Sequence, residues 1–161
     1  MPIIQKQNRK PINQLDDLLL KTLYENVLLL CEAEEKLINN NTKAPQWIEF
    51  EKNNKVKLIH NHEIEKGMFK TSKEGILTIN GKYAKQDISN TIIFTNKQNH
   101  VFSGLFSHIR NAFAHNQIFV DGEYITMYDR LNQNSSVFTM IAHIKIEVLK
   151  ELIETIKNIK K

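Results

Sequence analysis

Apolar residues recur at three- and four-residue intervals in three stretches of this 161-residue chain, at about 13–38, 101–116 and 147–159. This spacing follows the 3.6-residue period of an α-helix and places the apolar side chains on one face. Each stretch is therefore predicted to be an amphipathic helix that buries one stripe. Because the chain is 41% hydrophobic, it can bury one core, and we expect residues 1–161 to form a single domain.

Shorter patterns predict a few strands. The pairs Asn80-Gly81 and Asp121-Gly122 tolerate the positive φ of a tight turn, so each predicts a hairpin. Residues 137–144 alternate between apolar and polar and predict a third strand beside the second hairpin. The signals between 44 and 95 are weaker: Pro45 opens a predicted short helix, and 56–64 fits either a helix or a strand. The predicted fold class is mainly α with a small antiparallel β element, an α+β arrangement.

Composition narrows the classes of function. The longest apolar run, Val27 to Cys31, is far shorter than the roughly 18 residues of a membrane span, and the first residues lack the apolar core of a signal peptide. We therefore expect a cytoplasmic protein without membrane contact. Cys31 is the single cysteine and cannot form an internal disulfide. The net charge of +4 is compatible with a polyanionic partner, although solvated lysine-rich termini explain it equally well.

The stretch from His108 to His115 combines the side chains that chemistry on a phosphodiester needs. Most of the positive charge in the chain is carried by lysine, and the three arginines are Arg9, Arg110 and Arg130. An arginine inside an apolar helix therefore suggests that the planar guanidinium of Arg110 pairs with a phosphate or a carboxylate. Residues four apart share a helix face, which makes Asn111 and His115 neighbours, with His108 on the same stripe and Arg110 beside it. A guanidinium, a carboxamide and an imidazole can hold a phosphate and move a proton. The alternative is that these are ordinary surface residues.

The segment Phe106-Ser-His-Ile-Arg-Asn-Ala-Phe-Ala-His115 resembles the signature helix of the HEPN superfamily. Active members carry Arg, a polar residue next to it, and His five positions after the Arg, which Arg110, Asn111 and His115 match. The β-meander and final helix expected after the motif resemble the plasmid- and phage-defence-associated branch. The resemblance covers about 102–128 well, and it implies a HEPN-like helical bundle with a C-terminal β-meander and a final helix.

The same resemblance implies a metal-independent endoribonuclease, working without a cofactor as a toxin or anti-phage effector with an antitoxin or regulatory partner. RNA is the implied substrate, because the ribose 2′-hydroxyl would attack the adjacent phosphorus. His115 would be the general acid/base, Arg110 would stabilise charge on the phosphoryl oxygens, and Asn111 would orient His115 or the phosphate. His108 would be an auxiliary substrate contact. The implied assembly is a homodimer in which the two motif helices face each other.

Helical geometry adds a reason for the dimer. Five residues at about 100° each place Arg110 and His115 about 140° apart around one helix. One chain then has difficulty aiming both side chains at a single phosphate. In a two-fold dimer with crossing helices, Arg110 of one chain can lie near His115 of the other, which predicts a shared active site.

Other interpretations remain open at this stage. Many HEPN members keep the bundle without activity, so a non-catalytic module that binds RNA or a protein is the main alternative. A structural domain in which the Arg110–His115 helix packs a dimer is another. HEPN toxins paired with a minimal nucleotidyltransferase commonly carry Tyr two residues after the His, where this chain has Gln117, so that modification is not expected. His60 and His62 lack a suitably spaced third ligand for a metal site.

Overall fold

The computed structural model describes residues 3–4, 10–11, 20–21, 24–25, 27, 45–61, 69–71, 77–79, 88–95, 101–132 and 134–159. Within these ranges the order of elements is β1 (Ile3–Ile4), β2 (Lys10–Pro11), α1 (Pro45–Asn54), β3 (Lys57–Asn61), β4 (Phe69–Thr71), β5 (Leu77–Ile79), β6 (Thr91–Thr95), α2 (Val101–Ala114), β7 (Ile118–Asp121), β8 (Tyr124–Arg130), β9 (Phe138–Lys145) and α3 (Ile146–Ile159). None of the helices in these ranges combines the length and apolar character needed to cross a lipid bilayer.

The main sheet has six strands in the order β2-β7-β8-β9-β6-β3. Its neighbours are antiparallel except β3 and β6, which run parallel, so the sheet is mixed. A second sheet of three antiparallel strands has the order β1-β5-β4. Strands β7, β8 and β9 form the predicted meander, and it occupies the middle of the main sheet.

The main sheet is buried on both faces, because alternate side chains of its strands enter two different clusters. Ile92 and Phe94 of β6 belong to the larger cluster, whereas Ile93 between them belongs to the smaller one. In β9, Met140 and Ala142 likewise face the larger cluster and Ile141 the smaller. Every residue of β6 is buried, as expected for a strand with neighbours on both sides and side chains packed on both faces.

The helices cover the face of the sheet that carries the larger cluster. Helix α2 contacts β8 and β6 and contributes Leu105, Ile109 and Phe113, while α3 contacts α1 and contributes Leu149 and Leu152. These five side chains are at most 1% exposed, so burying each one stabilises the fold by about 1.5–3 kcal/mol relative to leaving it in water.

The turn between β7 and β8 explains why that hairpin could be predicted. Asp121 pairs with Tyr124, which leaves Gly122 and Glu123 as the two turn residues. Gly122 has a φ of +59°, and glycine at the first central position is the pattern of a type II′ turn. The two turn residues are therefore Gly122 and Glu123, one residue later than the predicted pair Asp121-Gly122. In both cases Gly122 supplies the positive φ.

The prediction of a mainly α fold, a HEPN-like helical bundle with only a small β element, is wrong. The fold is α+β around a six-stranded mixed sheet. The physical reason lies in what periodicity reports: an apolar stripe at helical spacing shows that a helix buries one face, but it does not say against which surface. The stripe of α2 packs on β8 and β6, where the predicted bundle would have placed other helices.

Two expectations fall largely outside the described residues. The turn residues Asn80 and Gly81 of the first predicted hairpin lie there, while 77–79 of its first strand form β5. Of the long helix predicted at 13–38, only 20–21, 24–25 and 27 are described, and these residues are helical. Val27 is fully buried and the Tyr24 ring meets Phe113 edge-on at 5.8 Å between centroids, so this segment joins the core beside α2.

Candidate functional site

The C-terminus of α2 is closed by a Schellman motif that sets the position of His115. The backbone N–H of Gln117 donates to the Ala112 carbonyl at 2.8 Å, and that of Asn116 donates to the Phe113 carbonyl at 3.2 Å. Asn116 has a φ of +54°, in the left-handed region where asparagine is tolerated better than most residues. His115 is thus the last residue before the chain turns, and its side chain is exposed.

Strand β8 ends beside this helix terminus with two charged residues and an irregular register. Asp129 pairs with Met140, but Arg130 pairs with Phe138, so Thr139 of β9 is skipped. Consecutive residues of a regular strand point to opposite faces, whereas a bulge re-aims side chains. This irregularity accounts for Asp129 and Arg130 being able to line the same cleft.

A cleft of about 540 Å³ lies between the end of α2 and the end of β8. Its lining comprises Asn111, His115, Gln117, Asp129, Arg130, Leu131 and Asn132. The volume falls in the range of roughly 300–1,000 Å³ that is common for small-ligand sites. The cleft therefore brings two of the sequence-predicted residues, Asn111 and His115, onto one surface, together with an arginine that was not predicted for the site.

The carboxylate of Asp129 holds several groups of this cleft together by hydrogen bonds. Its Oδ2 accepts a hydrogen bond from His108 Nδ1 at 2.7 Å and another from Asn111 Nδ2 at 3.2 Å. Its Oδ1 accepts from the backbone N–H of Arg130 at 2.9 Å. Both carboxylate oxygens of Asp129 are therefore engaged within the protein. The amide nitrogen of Asn111 is held by Asp129, which leaves its Oδ1 as the amide atom available to a ligand.

His108 joins α2 to the sheet. Its Nδ1–H donates to Asp129 Oδ2 and its Nε2–H donates to the Thr95 carbonyl of β6, each at 2.7 Å. The two ring nitrogens of His108 therefore tie α2 to β8 through Asp129 and to β6 through Thr95. The two side chains are only 14% and 8% exposed. The predicted substrate contact of His108 stays a prediction, and the contacts seen are those of a residue that positions Asp129.

Arg110 lies half-buried on α2 and is not one of the described residues that line the cleft. The separation follows from the helix itself, since Arg110 and His115 project about 140° apart. The structure thus unites Asn111 and His115, with His108 behind them, and places Arg110 on another side of α2.

Sequence reasoning missed five of the seven lining residues, and three of the five have side-chain contacts that shape the cleft: Gln117, Asp129 and Arg130. The signal for the last two is visible in the sequence of β8, Tyr-Ile-Thr-Met-Tyr-Asp-Arg, where two charges follow a mostly apolar strand. Gln117 lies at the cap of α2: its Nε2 donates to the His115 carbonyl at 3.4 Å and its Oε1 lies 3.5 Å from Arg130 Nη2. No sequence pattern marks that role.

The cleft offers one imidazole, one guanidinium, three carboxamides and a carboxylate. In the described part of the chain, no three His, Cys, Asp or Glu side chains form a group able to hold a metal ion. Comparisons with protein-family models, with curated proteins and with solved structures give no match to this chain. The side chains of the cleft suit an anionic ligand that also offers a hydrogen-bond donor.

Proposed function

We propose that this protein is an endoribonuclease that cleaves RNA in the cleft between α2 and β8. The observation that carries the proposal is that Asn111 and His115, two residues of the Arg-x4-His motif, line one cleft. The resemblance to HEPN enzymes enters through these motif residues and not through the fold. An exposed imidazole beside a carboxamide in an open cleft of this volume suits proton transfer on a bound polynucleotide.

The proposed reaction needs no group beyond the RNA and the protein. The ribose 2′-oxygen attacks the adjacent phosphorus, the new O2′–P bond forms, and the P–O5′ bond breaks. The 2′-hydroxyl loses its proton and the departing 5′-oxygen gains one. The products are a 2′,3′-cyclic phosphate and a 5′-hydroxyl. His115 is the proton-transfer group, because its side chain is exposed in the cleft and an imidazole can both accept and donate a proton.

Asn111 has a more defined role than sequence reasoning gave it. Asp129 holds its Nδ2 at 3.2 Å, so its Oδ1 is the atom that can accept a hydrogen bond from a ligand. A 2′-hydroxyl is such a donor, and it is the group that separates RNA from DNA. Asn111 would therefore orient the attacking hydroxyl toward His115.

A second candidate is a module that binds RNA without cutting it. One observation favours it: acid–base catalysis of this reaction uses a base and an acid, whereas the described lining of the cleft holds a single imidazole. Its carboxylate, Asp129, is already engaged by His108 and Asn111.

The discriminating experiment incubates purified protein with mixed RNA in excess chelator. We expect cleavage by the wild-type chain and a loss of about 100-fold or more for His115→Ala, the size typical of a removed acid–base group. His143→Ala is the matched control, since His143 stacks on Tyr124 with 5.0 Å between centroids, away from the lining residues of the cleft. RNA binding without cleavage, unchanged in His115→Ala, would establish the second candidate in place of the first.

A further inference from the structure

Arg130 is held in place by an aromatic ring and an amide. Its guanidinium carbon lies 5.2 Å from the centroid of the Phe138 ring, within the range of a cation–π contact. Its Nη2 lies 3.5 Å from Oε1 of Gln117. A ring against the flat face of a guanidinium leaves the N–H groups at its edge for hydrogen bonds, which is the geometry that suits a phosphate.

The guanidinium of Arg130 forms no ion pair with the carboxylates that the structure describes. Asp129 is adjacent in sequence, but its oxygens accept from His108, from Asn111 and from the backbone of Arg130. The Nε of Arg130 is buried and meets no acceptor among the described residues.

A buried donor without an acceptor and a half-buried cation without an ion pair both cost free energy in the unliganded protein. An anion bound at the guanidinium would offset the second of these costs. The same cleft holds His115 and Asn111, so an anion at Arg130 would lie in the space that the proposed reaction uses.

We propose that Arg130 binds the phosphate of the ligand in this cleft and supplies the guanidinium that the motif assigns to Arg110. The proposal takes its ligand, an RNA phosphodiester, from the function proposed above, although any phosphate ester has the chemistry that Arg130 would recognise. Arg130 shares the cleft with His115 in one chain, whereas Arg110 would need a second chain to reach it. Substitutions of Arg130 and of Arg110 therefore have different expected effects on phosphate binding.

Binding of phosphate esters tests the proposal directly. The probes are uridine 3′-monophosphate, inorganic phosphate, and an all-deoxy oligonucleotide that cannot undergo 2′-hydroxyl attack. Calorimetric titration of Arg130→Met should show affinity at least tenfold weaker than wild type, because methionine keeps an apolar stem over Phe138 but removes the charge. The affinity of Arg130→Lys should lie between those of Arg130→Met and wild type, since lysine restores the charge without the planar, two-pronged guanidinium. Lys150→Met removes one exposed charge on α3 and should change affinity less than twofold.

The thermal midpoint of each variant separates loss of binding from loss of folding, and Arg130→Lys keeps the test decisive if the methionine variant unfolds. Tighter binding of the oligonucleotide than of the mononucleotide would assign the site to a nucleic-acid backbone, and equal binding would assign it to a free phosphate ester. Wild-type affinity in a folded Arg130→Met protein would overturn the proposal, as would affinity that is lost only in Arg110→Met. Phosphate binding that depends on Arg130, without any RNA cleavage, would keep the inference and remove the proposed nuclease.

Discussion

Asp129 connects the parts of the cleft through its hydrogen bonds. Its carboxylate accepts three hydrogen bonds, from His108, from Asn111 and from the backbone of Arg130. The carboxylate is buried, and burying it is tolerable because His108, the Asn111 amide and a backbone N–H are its hydrogen-bond partners. Each bond fixes a different part of the cleft. The bond to His108 fixes the position of α2 against the sheet, the bond to Asn111 fixes the orientation of its amide, and the bond to Arg130 fixes the backbone at the end of β8.

Replacing Asp129 with asparagine should destabilise the protein by about 1–3 kcal/mol, because the new amide nitrogen would face donors where an acceptor is required. We expect a lower midpoint in chemical denaturation with an unchanged slope. Asp121→Asn is the matched control: Asp121 is exposed at the end of β7, and its replacement should stay within about 0.5 kcal/mol of wild type. Equal stability of both variants would show that the Asp129 network contributes nothing.

At the scale of elements, the site depends on where α2 stops. The helix ends because Asn116 adopts a left-handed backbone, and the Schellman bonds of Asn116 and Gln117 then turn the chain into β7. That turn leaves the exposed side chain of His115 in the lining of the cleft. It also places the Gln117 side chain between the His115 carbonyl and the Arg130 guanidinium. Asn116 therefore helps to set the position of His115, the residue before it.

Two substitutions at Asn116 should have opposite effects. Asn116→Gly should preserve or raise stability, because glycine adopts positive φ without strain. Asn116→Val should lower it by roughly 1–2 kcal/mol, since a β-branched residue is strained there. RNA cleavage by Asn116→Val should also fall relative to Asn116→Gly when both are assayed well below their melting temperatures. Matching stabilities of the two variants would contradict the positive φ and the capping motif built on it.

Helices α2 and α3, the turn at Gly122 and strand β9 could be predicted because local signals encode them: a 3.6-residue stripe, a glycine in a two-residue turn, and apolar residues at every second position from Phe138 to Ile144. Strand β6 could not. Its residues, Thr-Ile-Ile-Phe-Thr, form a short run without alternation, because both faces are buried, and such a run alone does not separate strand from helix. A sheet without β6 and its partner β3 would be a small meander, too small to cover the apolar stripes of the helices, and this is why the sequence patterns favoured a helical bundle.

The same limit applies to the site at the scale of the whole molecule. Asn111 and His115 could be predicted as a pair because four residues span nearly one helical turn. Asp129 and Arg130 join them only because β8 passes alongside α2 and loses its regular register at that point. That pairing depends on contacts distant in sequence, which no local pattern reveals. The shared site between two chains, with Arg110 crossing to a partner, stays a prediction, and an arginine already in the cleft removes the need for it.

The most direct test of the account is the chemistry of the product ends on a DNA oligonucleotide that contains one ribonucleotide, cleaved in excess chelator. The account predicts a single cut after the ribonucleotide, leaving a 2′,3′-cyclic phosphate or its 3′-phosphate hydrolysis product and a 5′-hydroxyl, with no cut in His115→Ala. Cleavage of the all-deoxy control, 5′-phosphate ends, or activity that appears only when magnesium is restored would contradict it.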